Sequence, residues 1–309
     1  MERRIVGIVP PDHARISKWI NALALKYGDL LECTVIGKSL LDREIFALRI
    51  GNNLSGRRVL YCGGVHGREW ITSLLLMVLA EDILEQYAKG GRICEMDVRR
   101  LLDASGLVII PALNPDGIDI SVNSAADPGL KNLLSAELLE KCGNTAFCRR
   151  WKSNARGVDL NRNFNAGWDD MRLAALERGI TGPSSEGWTG KYPESEPETR
   201  AVVNLCESMR FRHMIAFHSQ GEVIYWNYRE FTPPRAHIMA RILAMSSGYT
   251  LSEPDRLAGA AGLKDWFMEK YGAPAFTVEV GCGECPLPLS GFRFMYHRLR
   301  EMLVLGIAM

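Results

Sequence analysis

Arg58-Val-Leu-Tyr-Cys62 is an apolar run of strand length that ends at Gly63-Gly64, and residues 70–87 carry the apolar spacing of a long helix, closed by Lys89-Gly90-Gly91. Such a strand lacks the alternation of a half-solvated one, so both its faces need cover, and a helix that follows at once supplies some of it. The unit predicts a layered α/β chain. Residues 14–27 read as helix, 31–36 and 44–50 as strands about a polar turn at 37–42, and 106–113 as another apolar strand. Asn114-Pro-Asp-Gly117 then reads as a tight reversal. Residues 121–195, rich in Asn, Asp, Gly and Pro, read as long loops with one short helical pattern at 131–141, which is where sites are usually built. The remainder reads as helix 196–209, strands 214–218 and 223–228, helices 234–246 and 262–271, strand 275–280 and helix 292–307. No repeat or linker divides the chain, so one α/β domain with a mixed sheet is expected over residues 1–309.

Charge excludes some partners. Lys and Arg number 37 against 36 Asp and Glu, a net charge of +1 that offers no basic footprint to nucleic acid. The longest apolar runs, 74–80 and 107–113, fall short of the ~20 residues that span a bilayer, so no membrane partner is expected. Residues 1–9 break at Pro10-Pro11 before an apolar segment develops, so no signal peptide is read and a cytoplasmic protein is expected. Eight cysteines are too sparse for a disulfide scaffold, and reduced thiols are the default.

His66-Gly-Arg-Glu69 follows the strand and glycine pair directly. An imidazole and a carboxylate three apart at a strand-to-helix junction can face one metal ion, although a solvated loop histidine beside a helix-start glutamate has the same spelling. His218 closes the apolar run Met214-Ile-Ala-Phe217 and is the candidate third ligand; a structural histidine after a strand is its plainer reading. His13, His213, His237 and His297 lack such placement and are read as structural or surface residues. Glu279 interrupts Phe276-Thr-Val-Glu-Val280, where a carboxylate is costly unless paired or at work, or else points to solvent at the strand's end. In Gly157-Val-Asp-Leu-Asn-Arg-Asn-Phe164, the Arg162 guanidinium suits a carboxylate, though a turn with a surface arginine fits equally.

Taken in order, His66…Glu69, Asn114-Pro-Asp-Gly117, Asp159-Leu-Asn-Arg-Asn-Phe164, His218-Ser219 and Phe276-Thr-Val-Glu279 resemble the motifs of the zinc metallocarboxypeptidases. The likeness runs from about residue 5 to the end of the chain. It implies a single α/β domain with a mixed, twisted eight-stranded sheet flanked by helices and no pro-segment. It also implies one zinc ion per chain held by His66, Glu69 and His218, with His66 oriented by Asp159. Glu279 would be the general base and acid for water attack at the zinc, and Asn161 with Arg162 would hold the substrate's terminal carboxylate.

Two positions depart from the family pattern. Where many members carry an oxyanion-stabilising arginine this chain has Lys152, with Arg156 as a nearby substitute; where pancreatic-type members carry a capping tyrosine it has Leu257. Lys264, at the position lining the side-chain pocket of the digestive members, would favour a negative group on the released residue; a solvated helix lysine is the plainer reading. The stretches Ala261-Gly-Leu-Lys-Asp-Trp266 and 279–290 look like the bacterial γ-D-glutamyl-L-diamino-acid peptidases of the family, which cut γ-D-glutamate from meso-diaminopimelate in murein peptides. For that substrate, Lys264 would meet the extra carboxylate and an acid such as Asp265 or Glu284 the extra ammonium. The alternatives are a general carboxypeptidase for C-terminal L-amino acids, a deacylase of amino acids, and a peptide-binding homologue that has lost catalysis. Cys282-Gly-Glu-Cys285 has chelating spacing but no second such pair, and two free loop thiols are expected.

Overall fold

The computed structural model describes residues 4–51, 58–123, 128–253 and 259–309. Its strands are β1 (Leu31–Lys38), β2 (Glu44–Gly51), β3 (Arg58–Cys62), a two-stranded hairpin β4 (Arg92–Ile93) and β5 (Met96–Asp97), then β6 (Gly106–Ile110), β7 (Phe211–His218), β8 (Val223–Tyr225), β9 (Thr250–Ser252) and β10 (Ala275–Glu279). The helices are α1 (His13–Tyr27), α2 (Ile71–Lys89), α3 (Val98–Ala104), α4 (Pro115–Asn123), α5 (Ala136–Cys142), α6 (Thr145–Arg149), α7 (Trp168–Glu177), α8 (Pro197–Ser208), α9 (Ala236–Ser247), α10 (Leu263–Tyr271) and α11 (Phe292–Ala308). Eight strands form one mixed sheet in the order β1-β2-β6-β3-β7-β10-β8-β9. Its centre, β6, β3, β7 and β10, is parallel, while β2 and β8 join it antiparallel.

Alternation along the central strands explains their unbroken apolar spelling. Val59 and Tyr61 of β3, with Ile215 and Phe217 of β7, pack into a core with α1, α2, α9 and α11. Leu60 and Cys62, with Met214 and Ala216, pack into a second core with α7, α8 and α10. Both faces are dry, so period 2 has no polar phase to reveal. Helix α2 is buried almost all round; its Glu81, 3% exposed, survives there by accepting Ile5 N at 2.6 Å and Val6 N at 3.1 Å. Among the described residues no helix is long and apolar enough to cross a membrane.

Two local expectations are corrected. Asn114–Gly117 is a helix start: buried Asn114 accepts Gly117 N at 2.9 Å through Oδ1, and Pro115 opens α4. Asn before Pro suits an N-cap as well as a turn, and tertiary contacts chose between them: Asn114 Nδ2 donates to Val65 O at 3.2 Å and Ser153 O at 3.1 Å. The segment read as loops contains α7, whose buried side, Trp168, Met171, Ala174 and Ala175, is half alanine and so weak as an apolar signal.

Candidate metal centre and active site

Three carboxyl ends of parallel strands converge on one place, as α/β sheets favour. β3 runs through Gly63-Gly64 into a 3₁₀ turn, Gly67–Glu69, with His66 just before it; β7 ends on His218; β10 ends on Glu279, the register partner of His218. The His66–Glu69 turn is pressed against neighbouring backbone. A Cβ on Gly67 would lie 2.3 Å from Gly117 O and 2.8 Å from Trp151 O, so only glycine fits there.

His66, Glu69 and His218 are each buried, and their ligand atoms all lie within 4.8 Å of one another. His66 Nε2 donates to Asp159 Oδ1 at 3.1 Å, which leaves Nδ1 bare. That bare nitrogen stands 2.8 Å from Glu69 Oε1 and 3.1 Å from His218 Nδ1; His218 Nδ1 is in turn 3.0 Å from Glu69 Oε2. Acceptors this close relieve their repulsion by sharing a cation. Two imidazole nitrogens and one carboxylate, with a position left for water, are the donor set of hydrolytic zinc, so the residues fit the ion. Burial would raise the Glu69 carboxyl, but His66 and His218 beside it hold it well below the usual carboxylate range.

Asp159 organises what surrounds these residues. Its Oδ1 also accepts Asn161 N at 3.2 Å, and its Oδ2 accepts Gly187 N at 3.1 Å and lies 3.7 Å from Lys152 Nζ. Burial would raise this carboxyl too; Lys152 and His66 outweigh it and hold it well below the usual range. Arg156 is turned away, toward buried Glu196 at 3.4 Å, so the cation beside Asp159 is Lys152.

A cleft of about 310 Å³ opens beside Glu279 and is lined by Asn161, Arg162, Lys264, Asp265 and Thr277 among others. The loop ahead of α10 sets its wall: Leu263 N donates to Asn161 Oδ1 at 3.1 Å, and Arg162 Nη1 to Ala260 O at 3.3 Å. Burial, with Glu69 adding to it, pushes the Glu279 carboxyl up to about 7 against the pull of His218, Lys152 and Arg162. A carboxyl in that range can both accept and return a proton near neutrality.

Lys264 lines the cleft but is not a solitary charge. Its Nζ donates to Asn227 O at 2.7 Å and to Asp265 Oδ1, while Asp265 Oδ2 accepts Gly262 N at 3.2 Å. Glu284, weighed as the acid beside it, is exposed, bonded to Arg150, and absent from this cleft's lining. Leu257 lies outside the described residues. Cys285 Sγ sits 3.4 Å from Ser219 Oγ and Cys282 is exposed; His66, Glu69 and His218 are the one candidate metal group among the described residues. Sequence reasoning passed over Arg68, whose Nη1 pairs with Glu186 at 2.8 Å, although it lies inside the His66–Glu69 stretch. It also passed over Tyr225, Ser252 and Glu253 of the cleft, which no local pattern marks.

A family model described as zinc carboxypeptidase matches residues 16–301, and the chain belongs to that family. It is therefore a zinc-family metallopeptidase. It is 33% identical over 298 residues to "Gamma-D-glutamyl-L-diamino acid endopeptidase 1" of Lysinibacillus sphaericus, covering 96% of this chain and 72% of the relative. Human mast cell carboxypeptidase A is 26% identical over 74% of this chain and 50% of its own length. Among solved structures, bovine thrombin-activatable fibrinolysis inhibitor in complex with tick carboxypeptidase inhibitor superposes with a TM-score of 0.74 at 22% identity, over 97% of each chain. Murein-tripeptide amidase MpaA of Escherichia coli O157 does so with a TM-score of 0.52 at 18% identity, over 92% of this chain and 93% of that one. These two share the fold.

Proposed function

We propose that this chain hydrolyses the amide between γ-D-glutamate and meso-diaminopimelate in murein peptides, with one zinc ion per chain at His66, Glu69 and His218. The observation that carries the substrate is the pair of cations in one cleft, Arg162 and Lys264. An ordinary C-terminal residue brings one carboxylate; diaminopimelate brings two. The 33% identical relative named for a γ-D-glutamyl-L-diamino acid substrate supports the same reading. The eight unpaired cysteines are in keeping with a reducing, cytoplasmic setting.

When bound, the zinc ion supplies a Lewis acid that polarises the scissile carbonyl and makes water acidic enough to attack. The protein's own groups do the rest. Asn161 and Arg162 hold the main-chain carboxylate of the released residue, fixing the amide beside Glu279. Glu279 takes the proton from the attacking water and returns it to the departing amine. Lys152 carries the positive charge that faces the oxygen as it becomes anionic. Asp159 holds His66 in one tautomer, with Nδ1 free to ligate.

Turnover of L-Ala-γ-D-Glu-meso-diaminopimelate by zinc-loaded protein, beside the Glu279→Gln variant and a panel of C-terminal L-peptides, tests this. Cleavage of the wall peptide alone, lost in Glu279→Gln, is expected. Cleavage of the L-peptides instead would identify a general carboxypeptidase, and cleavage of neither a binding homologue.

A further inference from the structure

Among the described residues, the cleft carries one charge that the reaction leaves unused. Three of its charged residues have assignments under the proposed function, on which this inference rests: Arg162 to the main-chain carboxylate, Glu279 to the proton, Lys264 to the second carboxylate. Asp265 is occupied, since its two oxygens accept from Gly262 N and Lys264 Nζ and the residue is only 3% exposed. Glu253, just after β9, is left. It lines the same cleft on the exposed side, and among the described residues its carboxylate has no hydrogen bond and no ion pair. Lys264 Nζ has two protein acceptors for its three hydrogens and stands 5.6 Å from the centre of the Tyr228 ring, so one hydrogen has no oxygen or nitrogen acceptor among the described residues.

We infer that Glu253 is a specificity residue that receives the ammonium at the far end of the released side chain, while Lys264 receives the carboxylate beside it. A single positive group in such a cleft selects an acid and a single negative group selects a base. A spare donor on one residue and an unpaired carboxylate on another select a side chain ending in a zwitterion. Diaminopimelate ends in an amino-acid head; lysine is the same chain without the far carboxylate, and 2-aminopimelate the same chain without the far ammonium. The two simpler residues therefore separate the two contacts.

The test compares kcat/KM for γ-D-glutamyl peptides ending in meso-diaminopimelate and in L-2-aminopimelate, in the wild type and in Glu253→Gln. Glu253 is exposed and, among the described residues, its carboxylate is unbonded, so the substitution leaves the fold intact, which circular dichroism checks. The wild type should prefer diaminopimelate by about three- to fivefold, the range of a partly screened ion pair, and the preference should shrink as salt is raised. In Glu253→Gln the ratio should fall to about one, mainly through KM. A ratio unchanged by the substitution overturns the assignment of Glu253 and leaves the proposed function standing. Wild type that cleaves neither compound overturns both.

Discussion

Asp159 and His66, 93 residues apart in the chain, are joined through Oδ1 and Nε2 at 3.1 Å, and the same Asp159 oxygen accepts Asn161 N at 3.2 Å. One buried carboxylate thus sets the tautomer of a metal-facing imidazole and the backbone of the loop that holds substrate. Asp159→Asn keeps the shape but removes the charge that favours the Nε2–H tautomer. Zinc affinity, measured by chelator competition, should fall about 10- to 100-fold. An affinity equal to wild type would show that the bond does not orient the ligand.

Lys152 and Arg162 are cations that Asp159 and Glu279 both feel, and Lys152 Nζ lies 3.7 Å from Asp159 Oδ2. Lys152→Ala should lower kcat by about 10²- to 10³-fold with zinc content unchanged, and Lys152→Arg should keep most of the activity. If alanine and arginine behave alike, the positive charge does not serve the oxyanion.

Glu198 offers a pH test at a carboxyl outside the candidate metal ligands. Burial, then the charges of Asp116 and Glu196, push its carboxyl up to about 8 against hydrogen bonds that favour the anion. The folded state therefore holds a proton that the unfolded chain releases near its ordinary value of about 4.5. Stability from this group is full below pH 4.5 and is lost as pH rises through about 8. Denaturant unfolding at pH 5 and pH 8 should show a smaller drop in Glu198→Gln than in wild type, by about 1 kcal/mol or more. Equal drops would mean that Glu198 ionises in the fold at its ordinary value.

Gly67→Ala should be damaging out of proportion to one methyl. The added carbon meets backbone oxygens of Gly117 and Trp151, which cannot swing aside as side chains do. A loss of about 1–3 kcal/mol is expected, with lower zinc affinity because His66 and Glu69 flank the displaced residue. Wild-type melting and zinc affinity would show that the turn has room.

The elements near the ligands were legible because their signals are short-range. β3 lies where its apolar run and Gly63-Gly64 put it, and the ends of β7 and β10 fall on His218 and Glu279. Asn114–Gly117 was misjudged because its cap is decided by Val65 and Ser153 from other loops. α7 was missed because alanines leave little contrast between a buried face and an exposed one.

The sequence by itself determined the α/β layers and the family, since strand periodicity, glycine breaks and ordered motifs are all local spellings of backbone need and chemistry. It also marked His66, Glu69, His218 and Glu279 as candidates. Tertiary structure decided what those residues face: that Lys152 rather than Arg156 stands beside Asp159, that Lys264 is tied to Asp265, and that Glu253 rather than Glu284 lines the cleft. Charge partnership depends on distance and burial across loops far apart in the chain, and a linear pattern carries neither.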